Sequence, residues 1–194
     1  MALARARSET LFAWDGRRMN GRIVGTIIMI TAVVAGAALY YLQVYGFYQE
    51  VSDAEAGQVQ MVNIATGAPE PILTDNFSAI DADSSPIRYR ACFTTTHSHP
   101  MLTETYQLLE DREPRNAPGW FDCFDATAIV EGIETGAVLV FLGQKNVHYG
   151  VDRIVAIHED GRGWVWQDLN DCGEKAYDGT VIGEECPPRP DSGS

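Results

Sequence analysis

His97 and His99, one residue apart, are the sharpest chemical feature of this 194-residue chain. In an extended segment, side chains at i and i+2 share a face, so both imidazoles could ligate one metal ion. Met101 adds a soft thioether that suits copper, and His148 and His158 could complete a copper or zinc site. The competing expectation is an exposed polar loop after a strand. Four cysteines follow: Cys92, Cys123, Cys172 and Cys186. An even count suits disulfides in an oxidising compartment. Three pairings are possible. Cys92–Cys123 with Cys172–Cys186 is favoured because each closes the shorter available loop. The wide spacing offers no C-x-x-C hook for cysteine-held zinc.

Other polar patterns carry less. Arg88 and Arg90 share a strand face and could grip an anion, though pairing with the chain's own acids is the plainer expectation. Asp81-Ala-Asp83-Ser-Ser85 opens like a calcium loop, but Pro86 stands where glycine is needed and Cys92 where glutamate is needed. Trp164 and Trp166 share a strand face, as a ligand shelf or as core. There is no G-x-S-x-G, H-E-x-x-H, P-loop, dinucleotide turn or kinase motif set, so no catalytic residue and no cofactor is assigned. A hydrolase of unknown class, assembled from distant residues, is kept as a separate reading.

Charge is distributed unevenly. Residues 1–22 carry five arginines against two acids, a balance of +3. No charge occurs from Ile23 to Gln49, and the remainder carries a balance of −16. A domain this acidic repels nucleic acid, so no nucleic-acid partner is expected. The apolar residues 23–47 span about 37 Å as a helix, longer than a hydrocarbon core of ~30 Å. Tyr40, Tyr41, Tyr45 and Tyr48 cluster at the far end, where rings suit the headgroup zone. Arginines flank the near end, so the positive-inside rule puts the N-terminus in the cytoplasm and the rest outside. A cleaved signal peptide ending near Ala35-Gly36-Ala37 competes, but the hydrophobic run continues ten residues past it.

The elements beyond the anchor read as α+β: a small domain with one mainly antiparallel sheet and one or two short helices. Residues 58–64 alternate as a strand, and residues 66–85 carry turn residues throughout and read as loop. Residues 87–93 form a half-buried strand with Ile87, Tyr89, Ala91 and Phe93 on one face. Leu102, Tyr106 and Leu109 have helical spacing, and residues 116–119 form a turn. Asp125 caps a helix whose stripe is Ala126, Ile129, Val130 and Ile133, and Gly136 ends it. Residues 137–142, 151–158 and 164–168 are three consecutive antiparallel strands, the last entered through Asp160-Gly-Arg-Gly163. The expected organisation is a basic tail (1–22), a membrane helix (23–47), a linker with a first strand (48–85), an α+β domain (86–186) and a flexible end (187–194).

Met19-Asn-Gly-Arg-Ile-Val-Gly25, the tyrosine-rich stretch Leu39 to Tyr48, Arg90-Ala-Cys-Phe93, Ala117-Pro-Gly-Trp-Phe-Asp-Cys-Phe-Asp125 and Asn146-Val-His-Tyr-Gly-Val-Asp152 carry a resemblance. Together they resemble an uncharacterised alphaproteobacterial family of single-pass membrane proteins. The resemblance covers residues 19–179. It implies an inner-membrane anchor, a periplasmic domain and Met19 as the start, and it transfers no functional residue. The expected function is a membrane-anchored periplasmic interaction or accessory protein with a protein partner in the cell envelope. A periplasmic copper or zinc binder using His97 and His99 is the alternative, with the hydrolase behind it.

Overall fold

The computed structural model describes residues 20–52, 59–184 and 186–188. Most of the basic tail, part of the linker and most of the flexible end expected from the sequence lie outside the described residues. The chain forms two compact units, Met1–Tyr41 and Leu42–Ser194.

In the first unit the described residues form one helix, α1 (Gly21–Tyr41). Its 21 residues reach about 31 Å, the thickness of a hydrocarbon core. None of its side chains is buried, and the helix is long and apolar enough to cross a membrane. Its two threonine hydroxyls are satisfied within the helix. Thr26 Oγ1 donates to Arg22 O and Thr31 Oγ1 to Ile27 O, both at 2.9 Å, so neither presents an unpaired polar group to lipid.

The second unit opens with a π-helical turn, Leu42–Gly46. Among the described residues eight strands follow: β1 (Gln49–Val51), β2 (Gln60–Val62), β3 (Pro69–Pro71), β4 (Asp75–Asp81), β5 (Arg90–Thr94), β6 (Val138–His148), β7 (Val151–His158) and β8 (Arg162–Leu169). Two short helices, α2 (His99–Thr105) and α3 (Ala126–Glu134), lie between β5 and β6. Six strands form an antiparallel sheet in the order β1-β4-β5-β8-β7-β6, and β2 pairs with β3 in a separate ribbon. This is the expected α+β class.

Alternation along the central strands sends side chains to two cores. Ala91, Phe93, Val155, Ile157 and Val165 face one cluster, which also holds Met61 from the ribbon and Leu102 from α2. Cys92, Ile154, Ala156, Trp164 and Trp166 face the other, with Phe121, Phe124 and Ile129 from the loop and helix covering it. Phe141 and Trp166 are fully buried, each worth about 2–3 kcal/mol of apolar burial. Gly163 leaves room for the ring of its cross-strand partner Phe93 to lie over the β5–β8 pair. A Cβ there would lie 2.2 Å from the Phe93 ring.

Several expectations need correction. Residues 66–85 are not all loop: β3 and β4 lie within them. Pro69 and Pro71 are tolerated in β3 because a two-stranded ribbon leaves one edge unpaired. The helix expected from Leu102 to Leu109 ends earlier. Tyr106 is already extended (φ −119°, ψ 151°), and Leu109 N donates instead to Val140 O at 2.9 Å, covering part of the β6 edge. The Asp125 cap is as expected, with its carboxylate accepting from Thr127 N and Ala128 N at 3.0 and 3.2 Å. Gly136 ends α3 at φ 77°.

Candidate functional site

The loop of residues 112–125 between α2 and α3 is held at every turn by groups from the sheet. Arg90, on β5, is 97 % buried and forms no ion pair among the described residues. Its guanidinium donates instead to Arg115 O (3.0 Å), Ile87 O (2.9 Å), Tyr89 O (2.7 Å) and Asn116 O (3.5 Å), and stacks 5.6 Å from the centre of the Phe124 ring. Burial lowers its pKa from the ordinary guanidinium value to about 10, with Tyr48 and the more distant Asp168 and Asp81 opposing the fall and Arg115 adding to it. Next along β5, Cys92 is bonded to Cys123, with Cα atoms 6.2 Å apart. Trp164 Nε1 donates to Cys123 O at 3.0 Å. Arg115 in turn reaches Asp168 at 3.0 Å, and Trp120 Nε1 donates to Val44 O at 2.7 Å, tying the π-helical turn to the loop.

Two hollows, each of about 370 Å³, flank this loop and share Asp122, and they fall in the size range of small-ligand sites. One is bounded by Asn116, Pro118 and the start of α3. The other has the Cys92–Cys123 bridge and Trp164 along its wall and Asn76, Thr94 and Arg162 at its rim. Its polar groups are mostly engaged. Asn76 Nδ2 donates to Thr94 Oγ1 at 3.0 Å, Thr94 Oγ1 donates to Asp75 O at 3.2 Å, and Arg162 Nε donates to Asp160 at 2.8 Å. Asp122 is the exposed carboxylate common to both hollows. This set can hydrogen-bond and stack a partner; it contains no nucleophile paired with a base.

The histidines do not form the metal site that their spacing allowed. Among the described residues, no group of three or more His, Cys, Asp or Glu side chains could hold a metal ion. His99 opens α2 and its Nε2 donates to Ile157 O at 2.9 Å, which fixes the ring as a structural tie to β7. The backbone N–H of His97 points to Thr95 Oγ1 at 3.4 Å. His158 Nδ1 lies 3.1 Å from Asp160 N and 2.9 Å from Asp160 Oδ1, inside the β7–β8 turn. The copper or zinc reading based on His97 and His99 is therefore not supported.

Other candidates resolve into structure. Arg90 pairs with carbonyls instead of acids, and Arg88 donates to Gln43 Oε1 at 2.8 Å and lies over the Tyr48 ring. Trp164 and Trp166 are core. Cys172 is bonded to Cys186, so the two bridges are the two shorter-loop pairs. Sequence reasoning missed the buried carboxylate of Asp152, which accepts from Asn146 N at 2.9 Å and Asn170 Nδ2 at 2.7 Å. It also missed Arg153, which lies over the Tyr89 ring at 4.6 Å and, with the Gln167 amide turned so that its oxygen faces the guanidinium, donates through Nη2 to that oxygen at 3.1 Å. A polar residue inside an apolar strand was the available signal for both.

The model of a family of unknown function, DUF6446, matches residues 59–187. The chain belongs to this family. The DUF6446 match takes in all four cysteines, the pinned loop and every strand but β1, while α1 lies outside it. No curated protein and no solved structure gives a significant match.

Proposed function

We propose that this chain is an accessory protein of a bacterial cell envelope that works by binding a protein partner. Helix α1 anchors it in the inner membrane, with the basic residues 1–22 in the cytoplasm and the domain from about residue 48 onward in the periplasm. The observation that carries the reading is a membrane-length apolar helix followed by a domain with two disulfides. Disulfides persist in oxidising compartments, and the arginines before the helix resist crossing. The two hollows beside residues 112–125 support a binding role, because both have the size of small-ligand sites and both present the exposed Asp122 carboxylate.

Purification from native membranes in mild detergent tests this. A stable partner at native expression, recovered in fixed proportion, is the expected result. A monomer with no stable partner would remove the support for an accessory role.

A further inference from the structure

The C-terminal segment after β8 spends order without burying its apolar side chains. The Cys172–Cys186 bridge closes its base. Inside, Ala176 N donates to Thr180 O at 2.8 Å, Ile182 N to Glu174 O at 2.9 Å and Gly173 N to Glu184 O at 3.0 Å, and Lys175 bridges Val181 in antiparallel register. Gly183 is packed so closely that a Cβ would lie 1.7 Å from Asp171 O. Glu184 is paired with Lys145 of β6, and Asn170 ties the start of the segment to Asp152. The result is a fixed hairpin. At its tip Tyr177 is wholly exposed, and Val181 and Ile182 are 57 % and 61 % exposed. Neither core cluster includes them.

Fixing a loop before binding removes much of the entropy that association otherwise costs. Tyrosine is also among the residues that most often dominate binding energy. The charge around the tip selects the kind of partner. Between the two cysteines the sequence sets Glu174, Asp178, Glu184 and Glu185 against a single base, Lys175. Hydrogen bonds from Thr180 hold the Asp178 carboxyl below the usual carboxylate range, so it is charged at neutral pH. A second copy of this domain, itself at −16, would be repelled, as would an anionic lipid surface.

We infer that the hairpin closed by the Cys172–Cys186 bridge is a docking element that inserts Tyr177 into an apolar pocket of a protein partner rimmed by lysine or arginine. This rests on the accessory-protein reading and names the surface and the partner chemistry.

The test uses the full-length chain in native membranes, with a photoreactive benzoylphenylalanine in place of Tyr177 and, in parallel, in place of Asp122 or Glu131. Position 177 is expected to give one discrete protein adduct whose crosslinked peptide carries lysine or arginine next to apolar residues. Its yield should fall about tenfold when E174K and D178K are combined, with the Cys172–Cys186 bridge still intact by non-reducing peptide mapping. An unchanged yield in that variant, an adduct with lipid, or an adduct with another copy of this chain would overturn the inference. Adducts from 122 or 131 with none from 177 would overturn it while leaving the accessory role in place. Silence at all three positions would count against both.

Discussion

Arg90 keeps a charge with no carboxylate in ion-pair contact among the described residues, and it shows why a pattern of residue types is an incomplete guide to chemistry. Five donors in a planar fork can satisfy several carbonyls at once, and Arg90 uses four. It thereby organises the loop that carries Cys123 and Asp122. Arg90→Met would keep most of the volume but leave those carbonyls without their buried donor. A loss of about 3 kcal/mol is expected, seen as a drop in Tm on the order of 10 °C in detergent. A drop of only a degree or two would mean that the carbonyls find water and that the loop does not depend on Arg90. His99 makes the complementary point. Its position beside His97 suggested a ligand pair, but its fate was decided by Ile157 O, 58 residues away in sequence.

At the scale of elements, legibility followed how locally each element was determined. The first half of strand β6 (Val138-Leu-Val-Phe-Leu142) and the cap at Asp125 were readable because a continuous apolar run and an acid before an apolar stripe need nothing distant to interpret them. Strand β4 was not. Its Asp75-Asn-Phe-Ser-Ala-Ile-Asp81 looks like turn sequence, and Asn76 sits at φ 52° in a bulge. It is a strand because β1 and β5 pair on either side of it. The loop beside the two hollows read only as a turn, since its shape is imposed by Cys92, Arg90 and Trp164 from distant strands. Local determination also predicts how the C-terminal hairpin responds to acid. The backbone N–H of Thr180 donates to Asp178 at 2.9 Å, and hydrogen bonds from Thr180 lower the Asp178 pKa. A carboxyl whose folded pKa is depressed contributes stability above its unfolded value and loses it as pH falls through the folded one. Protection of the Thr180 amide against hydrogen exchange should therefore be constant near neutrality and fall below about pH 4. Protection that is flat down to pH 2, or that falls between pH 7 and 5, would contradict this origin.

For the whole molecule, the two disulfides separate a structural role from a local one. Chain-entropy arguments give similar values, about 3 kcal/mol for the 14-residue separation and about 4 kcal/mol for the 31-residue one. The surroundings differ. Cys92 belongs to a core cluster with Phe121 and Phe124, whereas neither core cluster includes Cys172 or Cys186. Replacing Cys92 and Cys123 by serine should lower the global Tm by roughly 10 °C, and replacing Cys172 and Cys186 should leave it nearly unchanged while exposing the hairpin to protease. Equal drops would mean that the hairpin folds as part of the core. Both bridges also report on which side of the membrane the domain lies, if the proposed topology holds. In the proposed topology the arginines at the start of α1 and just before it set the direction of insertion, because cationic flanks within about 15–20 residues of a span resist translocation. Changing Arg17, Arg18 and Arg22 to glutamate should invert a fraction of the chains. The inverted fraction would keep its four thiols reduced in the cytosol. On a non-reducing gel after thiol blocking it would migrate apart from the oxidised form, and externally added protease would no longer reach its domain. If the triple variant formed both bridges as completely as the parent, the arginines would not be what orients the chain, and a signal-peptide route to export would have to replace the anchor.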